Sequence, residues 1–143
     1  MSDTMIAFIK KERFPTAKQL RKELAKYGLY VEEIEESLLD FFGYWPGELE
    51  GKEAGFEWSA SDMSQEDFED FEIDQKLLEG RDVCIELGFY EEDDVKACSI
   101  CIVVLCDVFD AIAQNEEGEL SITKDNCFQW AKEEMGYDLL KKE

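Results

Sequence analysis

Carboxylates dominate the reactive side chains of this chain: 36 of its 143 residues are Asp or Glu, and it has no histidine. Two pairs have a spacing at which acid–base chemistry can arise. Asp107 with Asp110, and Glu66 with Asp70, stand three and four positions apart and meet on one face if their segments are helical. Such pairs serve as acid and base only when their surroundings split their pKa values, and solvated helix faces explain both pairs more simply. The sequence Cys98-Ser99-Ile100-Cys101 matches C-x-x-C. Zinc needs a second ligand pair, which a chain without histidine does not supply at suitable spacing. A redox dithiol needs an exposed site that lowers the thiol pKa, whereas the apolar run 97–106 keeps these thiols protonated. There is no glycine-rich phosphate loop and no H-E-x-x-H motif, and the stretch from Asp67 to Asp74 lacks the glycine and terminal Glu of an EF-hand. The expectation is a protein that is not an enzyme, with no catalytic residue, metal site or cofactor.

Binding chemistry is the alternative, and the charge distribution gives it a sign. Fifteen Lys and Arg leave a formal net charge of −21. Residues 1–26 hold seven basic side chains (Lys10, Lys11, Arg13, Lys18, Arg21, Lys22 and Lys26) against Asp3, Glu12 and Glu23, a net of +4. Residues 32–94 hold 23 acids against Lys52, Lys76 and Arg81, a net of −20. That field repels nucleic acid and anionic lipid and accelerates encounter with a cationic surface. Acidity also keeps a protein dispersed, so charge alone does not identify a partner. Aromatic rings threaded through the acids add the second ingredient. Trp58, Phe68, Phe71 and Tyr90 accompany Glu66, Asp67, Glu69, Asp70, Glu72 and Asp74, while Tyr44 and Trp45 stand in a glycine-rich stretch nearby. Rings anchor interfaces, and carboxylates around them steer a basic partner and accept from Arg and Lys. The first ten of those residues, Trp58 and Tyr90 included, form the expected partner-binding set; for any single ring, pinning a loop to the core is the competing explanation.

The elements that must position these groups are read from periodicity. Met5 to Ile9 is a short apolar strand, and Thr16 caps a helix in which Leu20, Leu24 and Tyr27 recur until Gly28. Leu29 to Ile34 forms a second strand, and Phe41 to Gly55 reads as a turn-rich loop. Phe56-Glu57-Trp58 begins a strand, and residues 62–79 fit either a long loop or a short helix from Ser64. Asp82 to Tyr90 alternates, with Val83, Ile85, Leu87 and Phe89 on one face and Cys84, Glu86, Gly88 and Tyr90 on the other. Asp93 or Asp94 then caps a central buried helix running through Ile112. Glu119 to Ile122 is a strand, and Thr123 or Asp125 caps a last helix ended by Gly136. One α+β domain over residues 1–143 follows, a mainly antiparallel sheet with helices on one side. The opening residues do not read as a signal peptide, and no apolar run reaches the length of a membrane span; the expected location is cytoplasmic.

This layout resembles a known group. With the strand Ile6-Ala7-Phe8-Ile9-Lys10-Lys11, the strand start Gly55-Phe56-Glu57, the strand Gly118-Glu119-Leu120-Ser121-Ile122 and the helix Phe128-Gln129-Trp130-Ala131-Lys132, the chain is similar to immunity proteins encoded beside polymorphic bacterial toxins, including Rhs-type and type VI secretion effectors. Residues 36–80 depart from the pattern, so no binding residues carry over. The resemblance implies an antitoxin of bacterial competition that binds a cognate protein toxin with a basic surface. The second reading is a DNA mimic that occupies the channel of a nucleic-acid-binding defence enzyme, although the Gly, Trp and Phe interrupting the acids break phosphate-like spacing.

Overall fold

Alternating apolar residues in three strands and an unbroken apolar helix generate the architecture. The computed structural model describes residues 3–62, 80–115, 121–133, 135, 136 and 139. In chain order these form β1 (Asp3–Ile9), a 3-10 turn (Lys11–Arg13), α1 (Ala17–Ala25), β2 (Leu29–Val31), β3 (Gly43–Trp45), β4 (Gly47–Leu49), β5 (Lys52–Glu53), β6 (Phe56–Asp62) and β7 (Val83–Phe89). There follow α2 (Glu92–Phe109), β8 (Ile112–Asn115), β9 (Ser121–Ile122) and α3 (Cys127–Glu133). The main sheet has the order β3-β6-β7-β1-β8-β9, and a smaller sheet has the order β2-β4-β5. Every pairing is antiparallel.

Period-two alternation sends Met5, Ala7 and Ile9 of β1 and Val83, Ile85 and Leu87 of β7 into one core with Phe56 and Trp58 of β6. α2 covers that face, touching β1, β6, β7 and β8. Its residues from Ala97 to Cys106 are all buried, as expected of a helix that is apolar all round. α1 and α3 flank it, so the expected α+β arrangement, with helices on one side of an antiparallel sheet, is the observed one. α1 starts with a reciprocal cap. The Gln19 N–H donates to Thr16 Oγ1 at 3.1 Å and the Thr16 N–H donates to Gln19 Oε1 at 3.0 Å, satisfying two donors that the first helical turn leaves free. Gly28, with φ of 84°, takes the left-handed conformation that turns the chain from α1 into β2. No described helix is long and apolar enough to cross a membrane.

Several boundaries differ from the sequence expectation. The stretch 41–55 is not simply a loop, because β3, β4 and β5 lie within it; strands of two or three residues carry no readable period and exist through their partners. β2 stops at Val31 rather than Ile34, where the run of glutamates begins. The central helix ends at Phe109, Asp110 adopts a left-handed φ of 58°, and Ile112 belongs to β8. Arg81 fixes this reversal, donating to the Asp110 carbonyl at 3.0 Å and facing its carboxylate at 3.4 Å. Neither Asp93 nor Asp94 is the N-cap of α2; Glu91 holds that position without a side-chain bond. Asp94 sits in the first turn and binds elsewhere, as described below. Before α3, the Thr123 N–H donates to Asn126 Oδ1 at 2.7 Å and the Asp125 N–H to Thr123 Oγ1 at 3.2 Å.

Candidate functional site

The face of the main sheet opposite α2 is arranged in rows set by strand register. One row runs Tyr44–Glu57–Gly88–Thr4 across β3, β6, β7 and β1. The next runs Ser59–Glu86–Ile6–Gln114 across β6, β7, β1 and β8. The third places Ser61, Cys84, Phe8 and Ile112 side by side, and its last three members are buried. The outer face therefore grades from polar and open beside β3 to apolar and closed beside β8.

A groove of about 260 Å³ occupies the open corner. Thr4, Phe42, Gly43, Glu57, Trp58, Ser59, Glu86 and Gly88 line it. Phe42 is 82% exposed, the most exposed of the large apolar side chains described. Tyr90, just past β7, is 52% exposed, and a hydrogen bond to Glu57, with a lesser effect of burial, raises its phenol pKa above the ordinary value. Neither Glu57 nor Glu86 meets a Lys or Arg at salt-bridge distance among the described residues; the ion pairs found there are Lys11–Asp62, Lys26–Glu23, Arg81–Asp110 and Lys96–Glu50.

Beneath the rim, Asp94 locks the β3–β5 region to the head of α2. Its buried carboxylate accepts from the Tyr44 hydroxyl at 3.2 Å and from the Gly55 N–H at 3.1 Å. Partial burial and the Asp94 charge push the Tyr44 pKa up to about 12. A carboxylate in the first turn of a helix also faces the positive end of the helix dipole.

A second groove, of the opposite sign, lies between α1 and β2, where Lys18, Arg21 and Lys22 line a space of about 260 Å³ with the exposed Tyr30. The Arg21 Nε donates to the Val31 carbonyl at 3.0 Å, which satisfies the outer edge of the small sheet.

The expected partner-binding residues divide into three groups. Tyr90 is exposed just past β7, outside the residues that line the groove. Trp58 contributes to that lining but offers no surface ring: it is 1% exposed, its Nε1–H donates to the Leu38 carbonyl at 2.8 Å, and its ring packs edge-on against Trp45 at 5.8 Å and Phe14 at 6.3 Å. Its ring is a core element rather than a surface anchor, because on β6 it shares the inward parity of Phe56. Trp45, raised with Tyr44 as a loop ring, is likewise fully buried, whereas Tyr44 is partly exposed. Glu66, Asp67, Phe68, Glu69, Asp70, Phe71, Glu72 and Asp74 lie outside the described residues.

The candidate chemistry resolves similarly. Asp110 pairs with Arg81 rather than with Asp107; Glu66 and Asp70 lie outside the described residues. Cys98 and Cys101 are buried, and burial raises both thiols well above the ordinary range. Among the described residues no three potential metal ligands cluster. The residues that sequence reasoning missed are Phe42, Glu57 and Glu86. Glu57 and Glu86 were readable as the polar positions of two alternating strands, but Phe42 had no such signal. Comparison with family models, with curated proteins and with solved structures finds no match for this chain.

Proposed function

We propose that this chain is an immunity protein that binds and neutralises a cognate secreted bacterial toxin by presenting an acidic, aromatic-bearing face to a basic surface. The observation that carries the reading is the open corner of the main sheet, where the exposed Phe42 stands with Glu57 and Glu86, carboxylates that meet no Lys or Arg at salt-bridge distance among the described residues, and the exposed Tyr90 follows β7. Exposed rings at the centre of a contact supply binding energy, while unpaired carboxylates speed encounter and set register. The surplus of −20 over residues 32–94 extends that field, and the acids of residues 66–74 supply part of it.

The test is co-expression with the protein encoded immediately upstream. That neighbour is expected to arrest growth alone and to be neutralised by this chain, in a purified complex whose association slows as salt rises. Loss of protection on substituting Phe42→Ala with Glu86→Gln, or on reversing Glu66, Asp67, Glu69 and Asp70, supports the surface. Full protection by both variants overturns it, and a harmless neighbour that forms no complex overturns the antitoxin reading.

A further inference from the structure

We infer that the groove bounded by Phe42, Glu57 and Glu86 is a receptor for a single arginine side chain of the partner, selected over lysine. This rests on the reading of a cationic partner and narrows it to one chemical group at one place. The argument begins with register. Glu57 lies opposite Gly88, and Glu86 is two residues before Gly88 on β7, so the two glutamates are diagonal neighbours on adjacent strands, with backbones roughly 7–8 Å apart. Gly88 has no side chain to occupy the space that this diagonal leaves.

A guanidinium presents five donors in a rigid plane and so can serve carboxylates on two of its edges, whereas an ammonium is a compact point charge that sits against one of them at a time. The aromatic wall favours the same choice. Phe42 offers a water-exposed ring face, on which the flat, weakly hydrated guanidinium stacks better than an ammonium does. Thr4 and Ser59 bring hydroxyl groups to the lining. On the small sheet the exposed Tyr30 also shares a row with Glu48 and Glu53, but the groove at Tyr30 is lined by Lys18, Arg21 and Lys22, which repel a cation, whereas the groove at Phe42 is lined by no basic side chain.

The experiment is a two-dimensional amide NMR titration of the intact chain with acetyl-Gly-Arg-Gly-amide and, separately, with acetyl-Gly-Lys-Gly-amide. The expected result is saturable shifts at Thr4, Gly43, Ser59 and Gly88 with the arginine peptide, and binding about three- to fivefold weaker for the lysine peptide. Phe42→Ala and Glu86→Gln should each weaken the arginine peptide several-fold. The exposed Asp125→Asn, which removes the same charge just after β9 at the opposite edge of the main sheet, should leave it nearly unchanged. Phe42 and Glu86 are exposed, so these variants keep the fold, and their spectra report it directly. Equal binding of the two peptides at the groove overturns the arginine inference while leaving a cationic docking face intact. Shifts confined to other surfaces, or none at all, overturn the groove as the site for either cation.

Discussion

The Asp94 carboxylate, in the first turn of α2, holds the backbone N–H of Gly55, 39 residues earlier, at 3.1 Å. Nothing larger than glycine fits there, since a Cβ on Gly55 would collide with the Trp45 carbonyl oxygen and crowd the Tyr44 ring. The turn between the two sheets is thus pressed against a helix end and tied by a charged acceptor. Removing the acceptor strands a buried amide and a phenol together. Asp94→Ala is expected to cost roughly 2–4 kcal/mol in urea unfolding followed by circular dichroism, and Asp94→Asn, which keeps one acceptor oxygen, clearly less. An Asp94→Ala midpoint equal to that of the parent would show that the tie contributes nothing to stability.

Alkaline pH provides a second measurement. Burial, with the Asp107 charge second, pushes the Tyr27 pKa up to about 12, and the Tyr44 pKa rises to about 12 by burial and Asp94. In the unfolded chain both phenols lose their protons at pH about 10. The folded state therefore retains more protons between pH about 10 and 12, and stability falls with rising pH across that window while remaining unaffected by these groups below it. The buried thiols act with the same sign from pH about 9 upward. Urea midpoints taken at intervals up to pH about 11 should decline, and Tyr44→Phe should flatten the part of the decline that begins at pH about 10. An unchanged slope in Tyr44→Phe would mean that this hydroxyl ionises freely in the folded protein.

Thiol chemistry gives a third. All five cysteines are buried and unpaired with one another; burial raises the Cys106 thiol strongly and that of Cys127 to about 11. Two of them donate weakly to carbonyls, Cys106 to Ile122 at 3.6 Å and Cys127 to Lys124 at 3.8 Å. Because only exposed thiolate reacts, native protein at neutral pH should label negligibly with a disulfide reagent over minutes, whereas guanidinium should release all five thiols. Rapid native labelling of Cys98 or Cys101, mapped by mass, would contradict their inert core placement.

The parts of the fold legible in the sequence are those whose local signal and tertiary role agree. β1 and β7 alternate and are paired along their whole length, and Thr16 caps α1 as its residue type and spacing require. The long apolar run became the buried helix, but its end was misplaced because Ile112 continues the helical spacing while Arg81, distant in sequence, fixes the reversal at Asp110. Trp58 shows how proximity to acids misleads. Its neighbour Glu57 faces water, yet the strand's parity sends Trp58 to the core, and that parity was available in Phe56-Glu57-Trp58. Phe42 was invisible for the opposite reason: it follows Phe41 in a glycine-rich stretch, and only the short pairing of β3 with β6 decides which ring is left outside.

β3 ends at Trp45 and β4 begins at Gly47, so the β3–β4 crossing between the two sheets is the single residue Pro46, and the β5–β6 crossing back is only Ala54 and Gly55. The Pro46 carbonyl is itself engaged, accepting from the Glu32 N–H at 2.9 Å, and the proline ring fixes φ. The junction consequently has almost no torsional slack, and the sheets pivot together or not at all. A visitor settling against Phe42 therefore encounters a stiff bracket, and its residence time should be governed by chemistry at the contact rather than by slow remodelling of the host.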